Sequence, residues 1–170
     1  GLRYQYNLYR LQVDNPTLSI GKNVIIKNFK GLKIGQNVTI QDNCYLHCGG
    51  MDWCNYEGGI ELHDNSFLGT GTIIWGTGAI VRIGKHTVTA QNVQIYASTE
   101  YRDNNDVDTL RSQFFKFKDV LIDDGAGLYS NSVVGPGVTI GKNARVSANS
   151  LALKDVKPDT LVAGIPARHV

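Results

Sequence analysis

The residues best suited to metal chemistry are three cysteines and a histidine that lie close together. The stretch CYLHCGGMDWC contains Cys44, His47, Cys48 and Cys54. Thiolate and imidazole are common zinc ligands, but a structural zinc site uses four ligands at recognised spacings. A C-x3-C-x5-C pattern with one histidine is not such a spacing, so we expect reduced cysteines and no metal site. An odd number of cysteines without a disulfide framework also favours a reducing compartment, hence a cytoplasmic protein.

A second cluster combines aromatic and basic side chains. The stretch LRSQFFKFK, residues 110–118, holds three phenylalanines and three cations. Such clusters can bind nucleic acid, but the formal net charge of the chain is only +2, so we expect no nucleic-acid partner. Packing against a neighbouring subunit, or closure over a bound cosubstrate, explains the cluster better.

Composition favours one β-rich domain. The chain has 170 residues, 42 % of them hydrophobic and 19 % charged, enough for a single core. Nineteen glycines, one methionine and many β-branched residues without helical periodicity indicate β structure. No apolar run approaches the roughly 20 residues of a membrane-spanning helix, so we expect no membrane span.

The hydrophobic pattern repeats every six residues. From Ile122 the hexads read IDDGAG, LYSNSV, VGPGVT, IGKNAR, VSANSL and ALKDVK, with an aliphatic residue at every first position. Similar runs begin at Ile20, Leu62 and Ile83. A period of six fits neither a flat strand nor a helix, but it suits a chain that runs extended, turns a corner and repeats. Glycine, asparagine and aspartate lie between the aliphatic residues, where corners need left-handed backbone angles. The sequence therefore predicts a parallel β-helix with the first positions stacked inside.

Three segments depart from the repeat. Residues 1–17 are expected to form a short cap over one end, and residues 18–170 to form the β-helix domain. Residues 47–59 and 101–118 are expected to be excursion loops. Loops this long inside a compact domain are usually functional.

The hexads resemble the [LIV]-[GAED]-x-x-[STAV]-x repeat of the left-handed β-helix acyltransferases. The tail VGPGVTIGKNARVSANSLALKDVKPDTLVAGIPARHV resembles the last coils and the closing G-x-P-A-[KR] segment of that family, which includes sugar O- and N-acetyltransferases of the galactoside acetyltransferase type. The resemblance implies an all-β fold with a left-handed coil of three faces, an exception to the usual crossover handedness. It also implies a homotrimer with active sites between subunits.

The same resemblance implies transfer of an acetyl group from acetyl-CoA to a hydroxyl of a sugar or surface-glycan precursor. Such transfer needs a base for the acceptor, stabilisation of the oxyanion, and a carrier held beside the acceptor. Two alternatives stay open. The acceptor can be the amine of a nucleotide-linked amino sugar, which needs no histidine base, or the chain can be a non-catalytic scaffold subunit built from hexapeptide repeats.

Four residues would hold acetyl-CoA by this resemblance. The galactoside acetyltransferase patterns V-W-I-G-S, I-G-A-G-S and T-K-D correspond here to AGLYS, VSANS and LKD. Ser130 and Ala148 would line the pantetheine arm, and Lys154 and Arg168 would reach the phosphates. Plain coil packing of the first pair and solvated charges for the second are the alternatives.

The chain departs from the family pattern at the expected base. Aligning IGKHTVTAQNVQI without gaps places Glu100 where the family has a histidine. A glutamate is an effective base only if burial raises its pKa. Glu100 is therefore the base, or orients an acceptor amine, or is an exposed carboxylate of no catalytic importance. Galactoside-type enzymes also carry Asn and Asp where this chain has Thr70 and Gly78, so we expect a different acceptor.

Aromatic residues are the candidates for acceptor contact, because sugars stack on aromatic faces. Trp53 and Tyr56 lie in the first excursion, and Trp75 lies in the next coil. His47, at the start of the first excursion, could face the same cleft as a catalytic or acceptor contact. The alternative is that these side chains cover coil edges or the seam of the trimer.

Overall fold

The computed structural model describes residues 1–100 and 115–170. In these residues one α-helix, α1 (Leu2–Asp14), precedes 21 short strands, and two single 3-10 turns occur at Phe29–Gly31 and Asp52–Cys54. The strands are β1 (Ser19–Ile20), β2 (Ile25–Lys27), β3 (Leu32–Ile34), β4 (Thr39–Ile40), β5 (Tyr45–His47), β6 (Gly59–Leu62), β7 (Phe67–Leu68), β8 (Ile73–Trp75), β9 (Ile80–Ile83), β10 (Val88–Thr89), β11 (Gln94–Tyr96), β12 (Ser98–Glu100), β13 (Phe115–Phe117), β14 (Val120–Ile122), β15 (Gly127–Leu128), β16 (Val133–Val134), β17 (Thr139–Ile140), β18 (Arg145–Val146), β19 (Leu151–Ala152), β20 (Leu161–Gly164) and β21 (Ala167–His169).

Three parallel sheets enclose one core. Sheet A contains β1, β4, β7, β10, β15, β18 and β20; sheet B contains β2, β5, β8, β11, β16 and β19; sheet C contains β3, β6, β9, β14 and β17. Each coil adds one strand to each sheet in turn, so that a strand between the two ends of the coil pairs with the strands of the coils above and below. The predicted stacking of parallel strands is confirmed.

The core is the stack of first-position aliphatic side chains. Ile122, Leu128, Val134 and Ile140 are completely buried. Ile122 lies in register beside Ile140 of the next coil, and the other first positions pair in the same way. Each such side chain stabilises the fold by about 1.5–3 kcal/mol, which explains why the period is kept.

Left-handed backbone angles mark the corners, as predicted. Asn92, Asn131 and Asn149 occupy the same corner of three successive coils, with φ values of 55°, 60° and 55°. The Asn92 side-chain amide donates to Asn131 Oδ1 at 3.3 Å, and the Asn131 amide donates to Asn149 Oδ1 at 3.2 Å. Asparagine thus tolerates the turn and also ties one coil to the next.

The N-terminal segment is a helix, which the sequence pattern did not predict. Leu8 and Leu11 of α1 pack against the core. The hydroxyl of Tyr4 donates to the carbonyl of Val24 at 2.7 Å and accepts from the amide of Ile26 at 3.2 Å. These bonds satisfy groups of the edge strand β2 that would otherwise be open to pairing.

The last two strands form the other end of the coil, where β21 pairs antiparallel with β20. Within the described part of the chain, no helix has the length and apolar character required to cross a bilayer.

Two edges of the coil matter for the candidate site, and we name each after the sheets that it joins. The AB edge comprises residues 21–24, 41–44, 69–72, 90–93, 129–132 and 147–150. The BC edge comprises residues 28–31, 48–58, 76–79, 97–100, 115–119, 135–138 and 153–155.

Candidate functional site

Both interruptions of the repeat occur at the BC edge, and they contact each other. The first leaves after β5, and the second leaves after β11, two coils later. The ring centroid of Trp53, in the first, lies 4.7 Å from that of Phe115 and 6.1 Å from that of Phe117, in the second. Of the predicted loop 101–118, residues 101–114 lie outside the described residues, as does the first half of the basic–aromatic cluster. We call the contact of Trp53, Phe115 and Phe117 the aromatic junction.

Glu100 lies on an antiparallel ribbon beside this junction. Strands β12 and β13 pair so that Glu100 stands opposite Phe115. The hydroxyls of Ser98 and Thr77 lie 3.1 Å apart and tie the base of the ribbon to the coil below. The side chain of Glu100 is exposed. The burial that base function requires is therefore not present in the described residues of one chain.

His47 is buried instead of facing a cleft. It is 6 % exposed, and its ring stacks on Trp75 with centroids 5.1 Å apart and an interplanar angle of 27°. Its Nδ1 is buried without a hydrogen-bond partner among the described residues. Burial, helped by the charge of Lys27, lowers the pKa of His47. The imidazole is therefore neutral near neutral pH.

The stack continues along sheet B. Lys27, His47, Trp75 and Tyr96 occupy equivalent positions on four successive strands. Tyr45 also contacts Trp75, with ring centroids 5.9 Å apart. Tyr45 and Tyr96 were not predicted as members of this surface. Tyr96 pairs with Trp75, and Tyr45 pairs with Ile73 on the same strand as Trp75.

The first excursion holds Tyr56 in a strained conformation. Its φ is 59°, a left-handed value that bulky residues rarely adopt, and its side chain is 73 % exposed. The amide of Tyr56 donates to the carbonyl of Met51 at 2.8 Å. The Cys54 thiol donates to the same carbonyl at 3.2 Å. Backbone strain of this kind is kept where the surroundings enforce it, often at functional sites.

The cysteines have structural roles. All three are free and buried, and burial raises the pKa of the Cys48 thiol to about 12. In residues 1–100 and 115–170, no group of three or more potential ligands is arranged to hold a metal ion.

The two residues predicted to line the pantetheine arm lie together on the AB edge. Ser130 and Ala148 belong to successive coils, joined by a bond of 3.0 Å from the Asn149 amide to the Ser130 carbonyl. The Ser130 hydroxyl donates to Gln91 Oε1 at 2.8 Å. Ala148 is exposed, so small groups and backbone are accessible at this corner.

The two residues predicted to reach phosphates line one pocket at the C-terminal end. Lys154 and Arg168 border a cavity of about 400 Å³, together with Lys157, Asp155 and His169. Three permanent cations around one cavity suit a ligand that carries phosphates. Lys157 was not predicted at this pocket, although it follows the LKD motif closely.

The predicted site residues therefore form separate groups within one chain. Ser130 and Ala148 lie on the AB edge, whereas Glu100 and Trp53 lie on the BC edge, across the width of sheet B. One chain alone does not bring the predicted carrier arm beside the predicted acceptor contacts.

Gly78 explains one departure from the galactoside pattern. Its φ is 71°, and a Cβ built on it would overlap the ring of Phe117. An aspartate cannot occupy this position while the ribbon is in place. Thr70, the other departure, donates to Gln41 Oε1 at 3.1 Å on the AB edge.

Comparison with known proteins agrees with this architecture. Residues 124–151 match the family model described as hexapeptide repeat of succinyl-transferase. The chain is 30 % identical over 162 residues to dTDP-4-amino-4,6-dideoxy-D-glucose acyltransferase from Escherichia coli, covering 89 % of this chain and 80 % of that protein. This chain belongs to the hexapeptide-repeat acyltransferases. The family predicted from the sequence is confirmed.

Further relatives of this acyltransferase include an O-acetyltransferase and two solved structures. Galactoside O-acetyltransferase from Escherichia coli K12 is 26 % identical over 174 residues, covering 99 % of this chain and 77 % of that protein. A variant of AntD, an N-acyltransferase from Bacillus cereus in complex with dTDP-4-amino-4,6-dideoxyglucose and coenzyme A, has the same fold, with a TM-score of 0.75, 23 % identity and coverage of 89 % and 81 %. A hexapeptide-repeat acetyltransferase from Vibrio cholerae complexed with acetyl-CoA has a TM-score of 0.61, 25 % identity and coverage of 98 % and 76 %.

Proposed function

We propose that this acyltransferase moves an acetyl group from acetyl-CoA to the amine of a nucleotide-linked amino sugar. The observation that carries the choice of acceptor is the exposed Glu100 in the position of the family's histidine. A surface carboxylate is too weak a base to activate a sugar hydroxyl, whereas a neutral amine is already nucleophilic. The sequence placed the hydroxyl acceptor first, and the exposure of Glu100 reverses that order. Relatives that act on or bind a dTDP-linked amino sugar support the same acceptor.

The proposed step needs little from the protein beyond position and charge. The amine nitrogen attacks the thioester carbonyl, a C–N bond forms, and the C–S bond breaks. The proton released by the amine leaves with the thiolate as the free thiol of coenzyme A. Glu100 accepts a hydrogen bond from the amine and stabilises the positive charge that develops on nitrogen.

We propose a left-handed coil and a homotrimer in which the AB edge of one chain faces the BC edge of the next. The outward row on sheet B is apolar except for one glutamine; it consists of Ile25, Tyr45, Ile73, Gln94, Val133 and Leu151. A neighbouring chain that covers this row would place the carrier residues of one chain near the acceptor residues of another. The free thiols fit a cytoplasmic location.

Mixed assemblies test the shared site. Glu100→Gln chains carry a change on the BC edge, and Ala148→Trp chains carry one on the AB edge, where Ala148 is exposed. Each variant has reduced activity alone, and the two are unfolded and refolded together at equal amounts. If each site uses two chains, about a quarter of the sites in random trimers regain both halves. Activity that stays at the level of the separate variants would contradict a shared site, and sedimentation would show whether trimers form.

The acceptor is tested by free-thiol release from acetyl-CoA. A dTDP-linked 4-amino sugar should react about 100-fold faster than its 4-hydroxyl counterpart, because general-base catalysis is worth at least that much to a hydroxyl. Glu100→Gln should lower kcat/KM for the amine about 10- to 100-fold, the loss of one charged hydrogen bond. The control is Glu57→Gln, an exposed carboxylate in the first excursion. An equal loss of kcat/KM in Glu100→Gln and Glu57→Gln would contradict a specific role for Glu100. If saturating acetyl-CoA did not raise the Tm, the chain would instead be a non-catalytic scaffold subunit.

Transfer to a hydroxyl is the second candidate, and His47 is the observation that favours it. Its imidazole is neutral, as a base must be, and its Nδ1 is unpaired among the described residues. Trp75 covers the ring, so an acceptor would have to displace that indole. His47→Gln should then lower transfer to a hydroxyl by 10²–10⁴-fold, roughly the value of a general base, without changing transfer to an amine.

A further inference from the structure

Helix α1 has two apolar faces, and only one of them is covered by the coil. The inner face, formed by Tyr4, Leu8 and Leu11, is half-buried against the first coil. The outer face consists of large apolar side chains that are mostly exposed: Leu2 (92 %), Tyr6 (59 %), Tyr9 (63 %) and Val13 (53 %). We call this outer set the α1 stripe.

The spacing of the α1 stripe makes it continuous. Steps of four, three and four residues keep side chains on one side of a helix with 3.6 residues per turn, and the stripe lies opposite the face that packs on the coil. With 13 residues, the helix runs for about 20 Å. The stripe therefore points away from the coil, at the end of the molecule farthest from the C-terminal pocket.

The residues beside the stripe carry positive charge. Arg3 and Arg10 lie along one side of it, and Gln5 and Gln12 lie along the other. Asp14 is the acidic residue of the helix, and its carboxylate lies 3.5 Å from Arg10 at the last turn. An apolar strip rich in tyrosine with arginines at its border is typical of helices that lie in a membrane interface.

A second copy of the chain fits this surface less well. Two α1 helices packed antiparallel along their stripes would place Arg3 of one chain near Arg10 of the other. The acidic residue of the helix, Asp14, already pairs with Arg10 and lies far from Arg3, so it offsets this repulsion only in part. Charge complementarity instead favours an anionic surface, because phosphate headgroups can surround both guanidinium groups.

We propose that α1 docks the enzyme on an anionic lipid bilayer. The α1 stripe enters the boundary between headgroups and acyl chains, and Arg3 and Arg10 bind phosphates at its border. In the homotrimer of the proposed function, three such helices would lie at the same end and would bind together. The docking itself does not depend on the proposed acceptor.

Vesicle flotation of the full chain tests the proposal. Binding to vesicles of phosphatidylglycerol and phosphatidylcholine should exceed binding to phosphatidylcholine alone about tenfold, and high salt should reduce it. Tyr6→Ser/Tyr9→Ser should abolish binding. Arg3→Gln/Arg10→Gln keeps the apolar stripe and loses only the exposed ion pair of Arg10 with Asp14, so it should remove the preference for anionic vesicles. The control is Val88→Thr on sheet A, where an apolar side chain is 49 % exposed, close to the 53 % of Val13 in the stripe.

Three results would overturn the proposal. The first is no binding of the unchanged chain to anionic vesicles. The second is binding of Tyr6→Ser/Tyr9→Ser that is as strong as that of the Val88→Thr control. The third is dissociation of the oligomer by the tyrosine variant in sedimentation, which would make α1 a contact between copies. Thiol release with a water-soluble acceptor, measured without vesicles, should be unchanged in these α1 variants. Flotation therefore tests docking, and thiol release tests the proposed function independently.

Discussion

Replacing Gly78 by alanine should disturb the candidate site through a single methyl group. Gly78 has a left-handed φ of 71°, and its missing Cβ leaves the space that the ring of Phe117 fills. Alanine at such a φ costs about 1–2 kcal/mol from backbone strain alone. Displacing Phe117 also loses its contacts with Trp53 and Phe115, each worth about 0.5–1.5 kcal/mol.

Gly137→Ala is the matched control, since Gly137 has a φ of 77° on the same edge, but its Cβ would meet only the flexible chain of Lys118. Gly137→Ala should therefore show only the cost of backbone strain. Gly78→Ala should also lose the two aromatic contacts of Phe117, so its free energy of unfolding should be about 2 kcal/mol lower than that of Gly137→Ala. At 2–4 °C per kcal/mol for a chain of this size, the extra loss in Tm is about 4–8 °C. Activity should fall in Gly78→Ala and not in Gly137→Ala, because the displaced strand β13 pairs with the strand that carries Glu100.

Thermal unfolding followed by circular dichroism, and thiol release with a fixed acceptor, measure both quantities. Adding Phe117→Ala to Gly78→Ala should remove the clash, so that the double variant is more stable than the sum of the single effects. Equal Tm and activity in Gly78→Ala and Gly137→Ala, or strict additivity in the double variant, would refute the assignment of Phe117 as the obstacle.

Three further predictions concern other parts of the molecule. Lys154→Gln and Arg168→Gln should each raise the KM for acetyl-CoA about 10- to 100-fold, the value of one charged hydrogen bond, without changing the KM for the acceptor; an unchanged KM for acetyl-CoA in steady-state kinetics would exclude the C-terminal pocket. Burial lowers the pKa of His47, so as the pH falls, this side chain is protonated in the unfolded chain before it is protonated in the folded one. The contribution of His47 to the free energy of unfolding is therefore full above about pH 6.5 and declines below it. Denaturant midpoints measured between pH 5 and 7.5 should show this slope, and His47→Gln should reduce it; an identical slope in the variant would contradict the assignment. Since the pKa of the Cys48 thiol is about 12, a maleimide at pH 8 should label it only after unfolding, and labelling of the native protein at the rate of a free thiol would show that the site opens.

The core was predictable because the period alone decides which side chains point inward. A repeat of six places Ile122, Leu128 and Val134 at equivalent positions of successive faces, and all three are buried. The corners followed from the same count, because asparagine and glycine are the residues that tolerate left-handed angles.

Helix α1 was not predictable from periodicity. A helical period is visible when one face is polar, but α1 has apolar residues on two opposite faces, so its pattern is nearly continuous. The packing of Leu8 and Leu11 on the first coil, a tertiary effect, stabilises the helix.

The candidate site was predictable only in part. Resemblance predicted that Lys154 and Arg168 reach the phosphates of the carrier. The structure places both side chains at the border of one pocket, and their role stays a prediction. The contact of Trp53 with Phe115 joins two segments that lie far apart in the chain and outside the repeat, so no local pattern encodes it. The burial of His47 likewise depends on a tryptophan one coil away.

The two coils between the excursions have a consequence for how such enzymes diversify. Strands β7, β8 and β9 pair with the coil before them and with the coil after them, although chain has been inserted on both sides. An insertion at an edge lengthens the path between two strands without shifting either, so it leaves the register of the solenoid unchanged. Exchange of residues 48–58 with those of relatives should therefore alter acceptor choice without loss of the carrier pocket. In evolution, selection for new sugars can act on one edge while the repeat stays constant.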